Sequence, residues 1–280
     1  AEGARGHLGK KLISKFDLDA GCDPQHFGLG IKELWKVPPE QHCAGKVLHT
    51  AGWPLAESGA TGGGFLYHLD DNQVVVGLIT DLCYDNPTLQ PFEEFQRYKH
   101  HPIIAGELNG GERIAYGARA IAKGGIQSQP KMYFPGGLLI GDDAGTLNGA
   151  KIKGTHTAMK TGMLAAEAIV ERLSLGDSGA DDRHSGAESL NGELSNFESK
   201  YKASWAYKEL LAQRNFTPAL HKFGSFGGGA YSFLDLNIFA GKLPWTFRHR
   251  KADSDSMAEM KDCRKMEYPK PDGKLSFDKL

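Results

Sequence analysis

The stretch Leu138-Leu139-Ile140-Gly141-Asp142-Asp143-Ala144-Gly145, followed by Lys151-Ile152-Lys153-Gly154-Thr155-His156-Thr157-Ala158, constrains this chain more than any other part of it. A buried strand is expected over Lys131 to Gly141, ending in Gly-Asp, and a helix rich in alanine, methionine and leucine over Thr155 to Leu173. Glycine lets backbone approach a ligand closely, and a following aspartate can accept hydrogen bonds from hydroxyl groups. The helix start then offers unpaired N–H groups and the positive end of a helix dipole. Either half alone is common, because Gly-Asp ends many strands and threonine caps many helices. In this order and spacing they suit a ligand with polyol hydroxyls and ring carbonyls.

A flavin has that chemistry: the aspartate meets the ribityl hydroxyls, and the helix start stabilises charge near N1 and O2 of the ring. Gly141, Asp142, Gly154, Thr155, Thr157 and Ala158 are the candidate cofactor-binding residues, and Ala158, Gly162, Ala165 and Ala166 give the helix a small-residue face expected beneath the cofactor. No G-x-G-x-x-G follows a strand in the 280 residues, so the pyrophosphate half of an FAD site is expected upstream of Ala1.

Elsewhere the pattern alternates between helix and sheet. His7 to Phe16 carries Leu8, Leu12, Ile13 and Phe16 at helical spacing. Short β-prone runs follow at Lys46–Thr50, Phe65–Leu69 and Val74–Ile79, broken by glycines or by Asp70-Asp71-Asn72, which predicts an antiparallel sheet with a hairpin. Helices are predicted over Pro91 to His100 and over Asn196 to Arg214, with a Gly/Ser/Asp-rich surface insertion over Ser174 to Leu194. The tail after Lys251 reads as polar and extended.

Charge and cysteine usage narrow the function. Lys plus Arg (33) nearly cancels Asp plus Glu (34), which gives no general attraction to nucleic acid. Cys22, Cys43, Cys83 and Cys263 form no C-x-x-C pair, and adjacent His100 and His101 point apart on a helix, so no metal ligand is assigned in this chain. No acid–base pair or nucleophile is implied. No apolar run reaches the length of a membrane span. His221 to Leu243 is instead aromatic, with Lys222, Lys242 and Arg248-His249-Arg250-Lys251 beside it, as in a segment that dips into one leaflet.

The strings AEGARGHLGKKL (1–12), GLGIKELW (28–35), GGGFLYHL (62–69), EFQRYKHHP (94–102), RIAYGARAI (113–121), FPGGLLIGDDAG (134–145), KIKGTHTAMKTGMLAAE (151–167) and YPKPDGKLSFDKL (268–280) resemble successive motifs of the electron-transfer flavoprotein:ubiquinone oxidoreductases. The resemblance covers the chain apart from 174–194. It implies a mixed α+β and α/β chain, in which part of an FAD/NAD(P)-binding domain, with the fold of the FAD-dependent oxidoreductases, is interleaved with an antiparallel-sheet ubiquinone-binding domain. On that basis residues 1–37 and 97–173 are expected in the FAD domain. Residues 38–96 and 195–251 are expected in the ubiquinone domain, with a membrane-contacting segment near 221–243, and 252–280 as a linker into a C-terminal 4Fe-4S domain.

The resemblance also implies FAD, a 4Fe-4S cluster with ligands beyond Leu280, and ubiquinone held at Gly62 and Gly63 in a glycine turn. It implies electron-transfer flavoprotein as electron donor and a monotopic place on the mitochondrial inner membrane (matrix face) or a bacterial cytoplasmic membrane. The rival readings are a flavin-dependent monooxygenase-like enzyme and a non-catalytic membrane adaptor on the same scaffold.

Overall fold

A computed structural model of the chain describes residues 1–177 and 194–279. It divides into two compact units, one formed by 1–26 and 121–250 and the other by 27–120 and 251–280.

The second unit is built on a five-stranded sheet in the order β2-β3-β4-β1-β5, from β1 (Phe27–Lys36), β2 (Val47–Ala51), β3 (Gly62–His68), β4 (Gln73–Asp81) and β5 (Glu112–Ala122). The β2–β3, β3–β4 and β1–β4 pairs are antiparallel. The expected hairpin joins β3 to β4, with Asp71 at φ 56° and Asn72 at φ 55°. Two successive positive φ values are what a type I′ turn requires, and Asp and Asn tolerate them. Burial alternates along β3, with Gly64, Leu66 and His68 inward. Helices α2 (Pro91–Lys99) and α3 (Pro102–Leu108) supply Phe95, Tyr98, Ile104 and Leu108 to a core completed by Trp35, Leu66, Val74, Val76 and Leu78.

The structure differs here from two expectations. Residues 27–36 and 97–120 belong with the sheet, because β1 and β5 are strands of it. The tail, expected as an extended linker, packs along the sheet unit. Met266, Leu275 and Phe277 pack on this core, and Tyr268 Oη accepts from the Gln90 amide at 3.0 Å and donates to Glu94 at 3.0 Å.

The first unit contains α1 (His7–Phe16), a small hairpin of β6 (Tyr133–Phe134) and β7 (Gly137–Leu138), and helices α4 (Thr155–Asp177), α5 (Ser195–Ala203), α6 (Trp205–Ala212) and α7 (Phe216–Phe233). The single strand expected over 131–141 is therefore two short ones, because Pro135-Gly136 turns the chain and Gly136 lies at φ 81°. The single helix expected over 196–214 is broken at Ser204. That residue has ψ 158°, and its hydroxyl accepts from the Tyr207 amide at 3.3 Å to cap α6. The core gathers Leu18, Phe134, Leu139, Leu164, Ala168, Phe197 and Tyr201, and Phe16 stacks on Phe134 at 5.2 Å. Most of the surface insertion expected over 174–194 lies outside the described residues, although 174–177 continue α4.

Candidate functional site

The chain leaves β7 through Leu139, buried in the core, and turns sharply at Gly141, which has φ 64°. A Cβ there would lie 3.3 Å from that of Ala158, so the turn rests directly on the first part of α4. Two hydrogen bonds lock this junction. The Gly141 amide donates to Thr161 Oγ1 at 3.0 Å, and Thr157 Oγ1 donates to the Thr146 carbonyl at 2.7 Å. Thr157 and Thr161 are fully buried. The Thr157 hydroxyl is thus engaged within the protein, and it fixes the α4 N-terminus against the loop that follows Gly145.

Asp142 follows the turn. One of its oxygens accepts from the Ala122 amide, while Oδ1 is buried and, among the described residues, has no hydrogen-bond partner. Burial raises the Asp142 carboxyl above its ordinary value; the Ala122 hydrogen bond opposes the rise and neighbouring Asp143 adds to it. Native proteins rarely leave a buried acceptor unmatched, so Asp142 Oδ1 marks a place for a hydrogen-bond donor.

The start of α4 completes the site. Its first intrahelical bond runs from the Ala158 amide to the Gly154 carbonyl at 2.9 Å, and the amides of Thr155, His156 and Thr157 precede it. The loop 148–153 is closed on itself, Asn148 and Lys153 exchanging backbone hydrogen bonds at 2.9 and 3.2 Å. Glu209 of α6 anchors the assembly, accepting from Asn148 at 2.7 Å, His156 at 2.8 Å and Lys151 at 3.0 Å. Burial alone would raise its carboxyl, but these three donors outweigh burial and hold it at about 2. Of the small residues expected on one face of α4, Ala158 and Gly162 lie against Gly141 and Ile140. Ala165 is turned into the core and Ala166 is exposed.

Gly62 and Gly63 lie in the sheet unit. They do not form a turn. They begin β3, paired with Thr80 and Ile79 of β4, and Gly63 also pairs with Ala51 of β2. The glycines are required by packing: a Cβ on Gly62 would meet the Ile79 carbonyl oxygen at 2.0 Å, and one on Gly63 the Thr50 carbonyl oxygen at 2.7 Å. Beside them Thr61 Oγ1 donates to Asp81 Oδ2 at 2.6 Å.

The segment 221–243 lies in the first unit, with α4, and not with the sheet. Helix α7 is broken at Gly224 (φ 69°, ψ −179°) and passes into a π-helical turn over Leu234–Ile238. Phe226 is 91% exposed and Phe233 63%, and Leu234, Ile238 and Phe239 are exposed with them. Arg214 fastens the return of this segment by donating to the carbonyls of Gly241 (2.6 Å) and Leu243, and Asn215 Nδ2 donates to that of Trp245 at 3.1 Å. Among the described residues no helix is long and apolar enough to cross a membrane.

The mixed α+β architecture, an antiparallel sheet in one unit and a strand-to-helix Gly-Asp junction in the other, is that of the FAD-dependent oxidoreductase fold. A solved geranylgeranyl bacteriochlorophyll reductase-like protein from Thermoplasma acidophilum shares the fold, with TM-score 0.52 at 15% identity over 82% of this chain and 51% of that one. Residues 27–121 match the family model described as "ETF-QO, ubiquinone-binding", and this match coincides with the first segment of the sheet unit. The whole chain is 59% identical to the electron transfer flavoprotein-ubiquinone oxidoreductase of Pseudomonas aeruginosa, covering 49% of that protein. It is 49% identical to the mitochondrial one of Bos taurus, covering 45%. Over its whole length the chain is similar to the electron transfer flavoprotein-ubiquinone oxidoreductases, and it spans about half the length of the curated relatives it matches.

Proposed function

We propose that this chain is the part of an electron-transfer flavoprotein:ubiquinone oxidoreductase that holds the ribityl and ring-edge side of FAD and carries the membrane-facing segment. The observation that carries this reading is Asp142 Oδ1, a buried acceptor with no partner among the described residues, set beside the positive-φ Gly141 and the start of α4. A ribityl hydroxyl supplies the missing donor, and the absent Cβ of Gly141 lets the turn that carries Asp142 sit directly on the start of α4.

When bound, FAD supplies the two-electron chemistry that links a one-electron donor to quinone reduction. The chain's own residues bind and orient it. Asp142 would hold the ribityl chain, and the amides at the start of α4, Thr155 and His156, would stabilise negative charge on the ring. Thr157 and Thr161 keep the helix start and the turn in register. The proposed partners are electron-transfer flavoprotein and ubiquinone, with the quinone head at the Gly62-Gly63 end of β3.

Among the described residues no set of cysteines is placed to hold a 4Fe-4S cluster. Cys22, Cys83 and Cys263 are half-buried and Cys43 exposed, and among the described residues no cysteine belongs to a group able to share a metal ion.

The exposed Phe226, Phe233 and Ile238, with Lys222 and Lys242 beside them, form a monotopic membrane contact. The site of action proposed is the mitochondrial inner membrane or a bacterial cytoplasmic membrane.

The test is the FAD content of the intact protein carrying Asp142→Ala. FAD-to-protein ratio, read from visible absorbance, is expected to fall at least tenfold while circular dichroism is unchanged, and Asp142→Asn should retain part of the binding. Full FAD occupancy in Asp142→Ala would rule the role out.

A further inference from the structure

Three histidines far apart in sequence meet in the first unit: His26, His221 of α7 and His249. Their ring centroids lie 4.1 Å (His26–His249), 4.9 Å (His26–His221) and 5.3 Å (His221–His249) apart. One nitrogen of each falls within 4.8 Å of the others. His26 and His249 are buried and His221 is half-buried. We propose that these three imidazoles bind a divalent cation of the zinc class, with a fourth position left for water.

The surroundings prepare the site. The His249 Nδ1 side hydrogen-bonds to the Gly124 carbonyl, which leaves Nε2 as the lone-pair nitrogen, and that atom is buried with no hydrogen-bond partner among the described residues. A backbone carbonyl on the far nitrogen is the usual way in which a ligating imidazole is oriented and its basicity raised. Asp23 holds the approach rigid, accepting from the His249 amide at 2.9 Å and from Arg248 at 2.9 Å, while the His26 carbonyl accepts from the Lys123 amide at 2.7 Å.

Zinc–nitrogen bonds of about 2.0–2.1 Å in a tetrahedral site place nitrogens about 3.3 Å apart. The cluster must therefore tighten, with the half-buried His221 ring moving inward. Three neutral imidazoles suit zinc-class ions better than calcium or magnesium, which take oxygen ligands. The position suggests what such an ion does. His221 and His249 stand at the two ends of the segment that carries the exposed Phe226, Phe233 and Ile238, so a shared ion would tie those ends to the loop before β1.

The experiment uses the intact protein, stripped with chelator and titrated with Zn2+ against a chromophoric competitor, followed by zinc-edge X-ray absorption. The expected result is one zinc equivalent with nitrogen ligands showing imidazole scattering. Affinity should fall at least tenfold in both His221→Gln and His249→Gln. His221→Gln, at the half-buried position, should keep its FAD and fold, so it decides the matter if His249→Gln does not fold. Zinc bound with sulfur ligands, bound equally by wild type and His221→Gln, or not bound at micromolar concentration would overturn the proposal.

Discussion

Lys99 shows what single residues contribute to the sheet unit. Fully buried on α2, its ammonium contacts Glu33 of β1 at 3.0 and 2.8 Å, and Trp35 Nε1 donates to the same carboxylate at 2.9 Å. Arg113 of β5 approaches Glu33 at 3.3 Å. Removing the carboxylate strands a buried cation, so Glu33→Gln should cost about 3–5 kcal/mol in denaturant unfolding. Burial pushes the Lys99 amine down to about 8, although Glu33 works against the shift. Its folded value is below that of the unfolded chain, so the unfolded state binds more protons between about pH 8 and 10.5. This residue therefore makes stability rise with pH across that window, and its burial penalty is complete below pH 8. Unfolding midpoints of wild type and Lys99→Met should diverge there, with the slope absent in the variant. The sequence pattern marks Lys99 as an odd polar member of the Phe92, Phe95, Gln96, Lys99 stripe; its partner could not be read, because Glu33 is 66 positions away.

At the scale of elements, helices with regular periodicity and Val-rich strands were legible. His7–Phe16 has the bounds its apolar spacing predicts, and β2, β3 and β4 lie where the β-prone runs are. Strands β1 and β5 were not legible, because Gly, Lys, Glu and Arg interrupt them and both lie partly exposed. Their sheet membership comes from pairing with neighbours, which local pattern does not carry. The Gly-Asp turn and helix start were legible because each needs a particular residue type. The closure of that site by Glu209 was not, since it joins α6 to a loop some 58 residues earlier. Glu209→Ala should lower unfolding free energy by about 1–2 kcal/mol near neutral pH, after allowance for partial exposure and solvent screening. Its folded value is depressed, so the contribution is present above about 4.5 and is lost as pH falls towards 2. Acid unfolding of the variant should consequently show a shallower loss across that window.

Element α7 carries a prediction about surfaces. Phe226 and Phe233 are too exposed to belong to the core of the first unit, so replacing both with serine should leave the unfolding midpoint unchanged. Binding to liposomes of mixed neutral and anionic lipid should fall at least tenfold, as measured by co-sedimentation. Unchanged binding would remove this segment from the membrane contact.

For the whole molecule, two units each have a separate core, and the chain matches about half of each curated relative. The candidate flavin junction and the exposed aromatic segment belong to one unit, the Gly62-Gly63 strand to the other. Sequence spacing shows neither that grouping nor the His26, His221 and His249 cluster, whose members lie up to 223 positions apart. On the proposed function, electrons leave the intact protein on ubiquinone. The most direct measurement is ubiquinol formed in quinone-containing liposomes when reduced electron-transfer flavoprotein is supplied anaerobically to the intact protein. One ubiquinol for each pair of electrons supplied is the result expected. Absence of ubiquinol, with NADPH-dependent oxygen consumption in its place, would contradict it.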